Sequence, residues 1–186
     1  AIQNQFEMNY GIPSTETVVL VNVGAAVINI NVVSNGVSAF TRDISMGGNA
    51  YTDEIQKQLN VSYDEAEELK VGGRGAESDS VVPQEVERVM TQVSETLANE
   101  IQRSLDFFAA TSADVQISKV YLSGGSAKVP ALARTLEAKV GIPIEVMDAF
   151  KNIDVSGKNF DPNYLKNVAP MAAVSVGLAL RKSQDR

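Results

Sequence analysis

TVVLVNVGAAVININVVSNGVSAFTRDI, residues 17–44, is the stretch on which the fold turns. Thr17 to Val23 is a near-continuous apolar, β-branched run, the pattern of a central strand covered on both faces. Ala26 to Val33 keeps the β-rich composition and leads through Asn35-Gly36 into Val37 to Ile44. Asn-Gly between two β-patterned runs signals a two-residue hairpin, because a type I′ turn needs positive φ at both central positions. The chain is therefore expected to open its sheet with three antiparallel strands in chain order.

Beyond Ile44 the period changes. Ser45 to Asn49 (SMGGN) reads as a glycine-rich turn, after which Tyr51, Ile55 and Leu59 share one helical face. Ser62 with Glu65 three positions on is a capping-box spacing, predicting a short helix through Ala66 and Leu69 to Lys70. Residues 71–82 carry glycine, serine and charge without periodicity and read as a loop. From Pro83 to about Ala110, apolar residues recur at three and four, predicting one long amphipathic helix. The last third alternates: strand Ile117 to Leu122, turn Ser123-Gly124-Gly125, helix Lys128 to Val140 stopped by Gly141, and strand Pro143 to Met147. A polar connector from Lys151 to Leu165 and a final helix from Pro170 to Arg181 follow.

This pattern predicts an α/β fold with a mixed five-stranded sheet and flanking helices. Residues 1–16 are expected to be a helix (Ile2, Phe6 and Tyr10 at helical spacing) and a linker left from a preceding lobe. Residues 17–186 are expected to form the lobe itself, with a mainly helical insertion subdomain at about 48–115. Because the chain starts at Ala1 inside a helical pattern, a larger parent protein is expected.

Composition narrows the chemistry. With no cysteine and no histidine in 186 residues, disulfides, thiolate zinc sites and Ser-His-Asp catalysis are all excluded. The formal net charge of −7 opposes binding to nucleic acid or to an anionic lipid face. The weakly charged stretch Val168 to Leu180 falls short of the roughly 20 residues that span a bilayer, so no direct membrane insertion is expected.

Three glycine-bearing turns follow strands: Asn22-Val23-Gly24, Gly47-Gly48 and Gly124-Gly125. Without a Cβ, backbone N–H groups can approach an anion, and a helix opening at such a turn adds its positive end. Any one of them alone is more often a simple strand end. Their combination is more specific. LVNVGAAVINI, RDISMGGNAYTDEI, EAEELK and YLSGGSAKVPAL resemble, in this order, the second half of proteins of the actin, Hsp70 and FtsA superfamily, which implies an actin-like, ribonuclease H-like lobe.

By that resemblance Asn22 and Gly24 belong to a phosphate-2 hairpin facing the β- and γ-phosphates. Gly47 and Gly48 would permit close backbone approach nearby, and Gly124, Gly125 and Ser126 would cradle the α-phosphate and sugar. Glu67 and Lys70 match the pair that holds ribose hydroxyls and edges the purine. Lys128 falls where a relative carries a base-stacking arginine. Taken by themselves, Glu67, Lys70 and Lys128 would read as solvated helix positions. The implied cofactor is ATP with magnesium. One departure bears on chemistry: the superfamily's Asp-x-Gly with its following Gly and Thr positions is here Asn22, Ala25, Ala26 and Val27. Asn lacks the charge that organises hydrated magnesium, and Val27 lacks a hydroxyl for a γ-phosphate. Binding that outlasts hydrolysis is expected, with no catalytic residue and no metal ligand in this chain.

FTRDI, RSLDFF (Arg103 to Phe108) and APMAAVSVGLALR (Ala169 to Arg181) resemble the PilM family of type IV pilus assembly proteins along essentially the whole chain. The resemblance implies a cytoplasmic ATP-binding scaffold, peripheral to the inner membrane through partners. Its implied partners are the N-terminal cytoplasmic tail of PilN, contacted through the half that this sequence lacks, and other pilus motor and platform proteins. The alternatives are an FtsA-like cell-division filament protein, or an Hsp70-like or sugar-kinase-like phosphotransferase. FtsA usually ends in a basic amphipathic membrane helix, whereas this sequence ends KSQDR.

Overall fold

A computed structural model describes residues 1–72, 84–112, 115–155 and 160–181. The expected loop at 71–82, apart from its first two residues, and the helix-starting role of Pro83 lie outside the described residues, as does the KSQDR terminus.

Helix α1 (Ile2–Tyr10) precedes strands β1 (Thr17–Val23), β2 (Ile28–Ser34) and β3 (Val37–Ile44). Helices α2 (Asn49–Leu59), α3 (Tyr63–Lys70) and α4 (Gln84–Thr111) follow, then β4 (Ile117–Ser123), α5 (Pro130–Val140), β5 (Ile144–Val146), α6 (Pro162–Val168) and α7 (Ala173–Ala179). The five strands form one mixed sheet in the order β3-β2-β1-β4-β5. β1 is central, antiparallel to β2 and parallel to β4, and all seven of its residues are buried. Each of its five large apolar side chains contributes about 1.5–3 kcal/mol by leaving water.

The alternation of β1 divides the core. Val19, Val21 and Val23 join Ile28, Ile30 and Val32 of β2 against Tyr51 and Ile55 of α2, the apolar stripe of α4, and Leu132 and Leu136 of α5. Val18 and Leu20 face the other way, toward Phe6 of α1 and Met147. On that second face Phe6 stacks on Tyr10, and Tyr121 meets both at a steep angle, its ring centre 4.8 Å from that of Phe6. α1 is fastened there by polar bonds as well: the Asp148 N–H donates to the Tyr10 hydroxyl (2.8 Å) and the Asn152 N–H to the Asn9 side-chain oxygen (2.8 Å).

Local chemistry explains the boundaries. Asn35 (φ 51°) and Gly36 (φ 77°) both adopt the left-handed region, as the Asn-Gly hairpin requires. β2 starts at Ile28 rather than Ala26, because Gly24 to Val27 close the turn through a Gly24 N–H to Val27 carbonyl bond of 3.0 Å. The Ser62–Glu65 capping box forms reciprocally at the start of α3. α5 does not begin at Lys128: residues Gly125–Lys128 make a 3-10 turn, and Val129 is extended. The cause is Pro130, whose ring disfavours a helical conformation in the residue before it. α6 begins within the expected polar connector and runs three residues past its end at Leu165, opened by Asp161 capping Asn163 with Pro162 in the first turn. The final helix is shorter than the sequence pattern suggested, α7 being preceded by turns through residues 169–172.

Candidate functional site

The site is built where β1 and β4, parallel neighbours with Asn22 opposite Ser123, end at the same edge of the sheet. The carboxyl ends of parallel strands are where open α/β sheets accommodate ligands. Both exits are glycine turns, and they touch. Gly124 sits at φ +89° and ψ 170°, a region open essentially to glycine, and a Cβ there would run into the Val23 backbone, 2.7 Å from its carbonyl carbon. The Gly124 N–H donates to the Pro170 carbonyl at 2.8 Å, bringing the segment before α7 to the same place.

The turn into α2 closes over the first. The Gly48 N–H donates to the Gly24 carbonyl (2.8 Å) and the Asn49 N–H to the Ala25 carbonyl (2.8 Å). A Cβ at Gly47 would fall 2.5 Å from the Gly24 oxygen, and one at Gly48 would fall 2.5 Å from the Ser126 hydroxyl. Gly47 therefore serves backbone-to-backbone packing and Gly48 makes room for the Ser126 hydroxyl, and the leading amides of α2 are spent within the protein. Among the described residues, the amides of Ala25, Ala26, Gly125 and Ser126 belong to those at these turns with no protein acceptor, and an anion could use them as donors. Sequence reasoning had singled out the glycines; the alanine amides beside Gly24 carry no residue-type signal, and only the turn geometry exposes them.

Asn22 is buried, and its amide is bonded at both its nitrogen and its oxygen. Its side-chain nitrogen donates to Asn29 (3.2 Å) and its oxygen accepts from the Ser123 hydroxyl (3.2 Å); Asn29 in turn donates to Asp43 at 2.8 Å. This ladder crosses four strands and holds the nearest carboxylate of the ladder, Asp43, two strands from β1. No group of three metal-ligating side chains exists among the described residues.

Glu67 and Lys70 pair on α3 with 2.5 Å between Nζ and Oε1. The buried Thr52 of α2 joins them: its hydroxyl donates to Glu67 Oε1 and accepts from Lys70 Nζ at 2.9 Å. Partial burial pushes the Glu67 carboxyl up, but the bonds from Lys70 and Thr52 together outweigh it and hold it below the ordinary carboxylate value. Thr52 was absent from the sequence reading, since a threonine inside a helix carries no signal of its own. Lys128 is exposed and its ammonium donates to Asn167 of α6.

Direct contacts thus bring Asn22, Gly24, Gly47, Gly48, Gly124 and Ser126 into one cluster, with Gly125 beside it. Glu67 and Lys70 connect to it through α2, and Lys128 is tied to α6.

A mixed five-stranded sheet of this order with flanking helices, its glycine turns meeting at the ends of β1 and β4, is an actin-like fold. The chain belongs to the family of the type IV pilus assembly protein PilM, which it matches over residues 7–183. Among solved structures it is similar to the PilM-PilN type IV pilus biogenesis complex, with 22% identity and a TM-score of 0.81, covering 97% of this chain and 50% of that one. It is similar too to the ethanolamine utilization protein EutJ from Carboxydothermus hydrogenoformans (19%, TM-score 0.66, covering 96% and 53%). MreB 5 of Spiroplasma citri bound to AMPPNP shares the fold as well (13%, TM-score 0.65, covering 97% and 56%). The chain spans about half the length of these structures. Among the described residues, no helix is long and apolar enough to cross a membrane.

Proposed function

We propose that this chain supplies one wall of a two-lobed ATP site in a cytoplasmic scaffold of the type IV pilus assembly platform, where nucleotide binding rather than turnover is the working event. The observation that carries this reading is the contact between the Gly24 and Gly124 turns, with four uncommitted amides at Ala25, Ala26, Gly125 and Ser126. Preorganised backbone donors at strand ends suit a polyphosphate and need no charged side chain. In this arrangement Gly47 and Gly48 brace the phosphate turn, while Glu67 and Lys70 meet the sugar and base. MreB 5 was solved with a nucleotide analogue on the same fold.

Hydrolysis is disfavoured by the same geometry. A phosphotransferase needs a base near the γ-phosphate, and the Asn22 amide is uncharged and committed to Asn29 and Ser123. Magnesium finds no carboxylate in this turn, so the described residues do not fit a metal, and the nucleotide phosphates and the preceding lobe would have to hold it. Closure of two lobes on ATP would change the surfaces that partners read, by differential affinity for the open and closed states. The fitting partners are PilN, through its cytoplasmic tail on the first half, and other motor and platform proteins, which would keep the assembly at the inner membrane.

The test is ATP binding and turnover by the full-length protein. Saturable ATP binding with slow turnover is expected, and crystals soaked in ATP should place it between Gly24 and Gly125. Brisk magnesium-dependent turnover abolished by Asn22→Ala would overturn the scaffold reading; ATP bound away from these turns would overturn the site.

A further inference from the structure

Thr52 is fully buried, yet its hydroxyl touches both charged members of α3's ion pair. A hydroxyl carries one proton and two lone pairs, so donating to Glu67 while accepting from Lys70 uses it in both senses. The pair it grips is not sealed away: 33% of the Glu67 side chain and 16% of the Lys70 side chain stay exposed. Two charged groups are thus clamped from beneath with their outer parts open to a ligand. Gly48, the N-cap of α2, and Thr52 are four residues apart and fall on the same side of the helix. The end of α2 that locks onto Gly24 and Ala25 and abuts Ser126 is therefore rigidly joined to the residue that orients Glu67 and Lys70.

We propose that Thr52 is a positioning residue for sugar recognition: its hydroxyl fixes Glu67 and Lys70 in the orientation that reads ribose hydroxyls, and α2 sets the distance from that pair to the phosphate turns. This rests on the nucleotide reading above. Without Thr52, Glu67 and Lys70 can still pair, as residues three apart on a helix do, but neither is held from below. A group used only to fasten α2 to α3 would alter affinity for every nucleotide alike; a group that orients the sugar-reading pair alters the response to the sugar.

The experiment compares ATP with 2′,3′-dideoxy-ATP on the full-length protein, as wild type, Thr52→Val and Thr52→Ser. Wild type should prefer ATP by about tenfold, the value of a charge-assisted bond to a hydroxyl. Thr52→Val should bring the preference to within about twofold by weakening ATP more than the dideoxy compound, and Thr52→Ser should restore it. Thr52→Ala, which adds no bulk, repeats the comparison where the valine variant does not fold. A wild-type preference retained in Thr52→Val, an equal loss for both nucleotides, or a wild type blind to the sugar would each overturn the role of Thr52. A wild type that binds neither compound would instead overturn the nucleotide site itself.

Discussion

Two adjacent glycines offer a sharp contrast. Gly124 combines a glycine-only backbone conformation with a Cβ position that falls on the Val23 backbone. Gly125 meets nothing closer than the Met171 sulfur at 4.0 Å and has no positive φ. For Gly124→Ala, holding a Cβ-bearing residue in that region costs about 1–3 kcal/mol. Moving the backbone of a buried central strand adds about 1–3 kcal/mol, as overpacking does. The reduced entropy of the unfolded chain gives back about 0.4–1 kcal/mol. The net loss is about 2–5 kcal/mol against a usual total of about 5–15 kcal/mol, a fall in Tm of about 4–20 °C for a domain of this size. Gly125→Ala should shift stability by no more than about 1 kcal/mol, in the stabilising direction if at all. Urea unfolding of both variants at constant m-value measures the difference. Equal midpoints for the two variants would show that the β1 and β4 turns do not meet as described, and the site would lose its basis.

Other substitutions probe the frame around the turns. Tyr51 is held protonated by burial, which pushes its phenol up to about 12 despite the opposing bond from Ser94. A raised value gives stability that is complete below the ordinary value of 10.0 and is lost as pH climbs toward about 12. Tyr51→Phe should cost about 0.5–1.5 kcal/mol at neutral pH by removing one hydrogen bond, Ser94 keeping its bond to the Met90 carbonyl, and its denaturation midpoint should lack the alkaline fall of wild type. Glu67 has the opposite sign: with its carboxyl held low, its contribution is present above the ordinary 4.5 and disappears as pH falls through the depressed value. The stability gap between wild type and Glu67→Gln should therefore close in acid titrations below that range and stay open at pH 7. Phe6→Ala, which empties the centre of the aromatic stack on the α1 face, should cost about 3–5 kcal/mol by calorimetry; a loss under about 1 kcal/mol would mean that α1 is not docked on the sheet.

Much of the architecture was legible because it is written in short-range chemistry. The run from Thr17 to Val23 could only be a doubly covered strand, Asn35-Gly36 a tight hairpin, and Ser62 with Glu65 a helix start. Each depends on residues within a few positions of one another. The misplaced boundaries share a cause as well. Pro130 moved the start of α5 by acting on Val129, and α6 was missed because its one turn of useful signal, Asp161-Pro162, lies in an otherwise polar connector.

The glycine turns were visible as composition, and their order suggested an actin-like lobe. What each glycine does was decided by tertiary structure. The pairing of Asn22 with Ser123 joins positions about a hundred residues apart, a separation at which no local pattern constrains register. That pairing presses Gly124 onto Val23, commits the Gly48 and Asn49 amides to the Gly24 turn, and leaves the alanine and Ser126 amides uncommitted. It likewise ties Asn22 into a cross-sheet ladder and puts Thr52 beneath Glu67 and Lys70. Periodicity along the chain determines which segments become strands and helices, because each residue's φ and ψ answer to near neighbours. Which backbone groups remain free for a ligand depends on where distant segments meet, and that is settled only when the whole core closes.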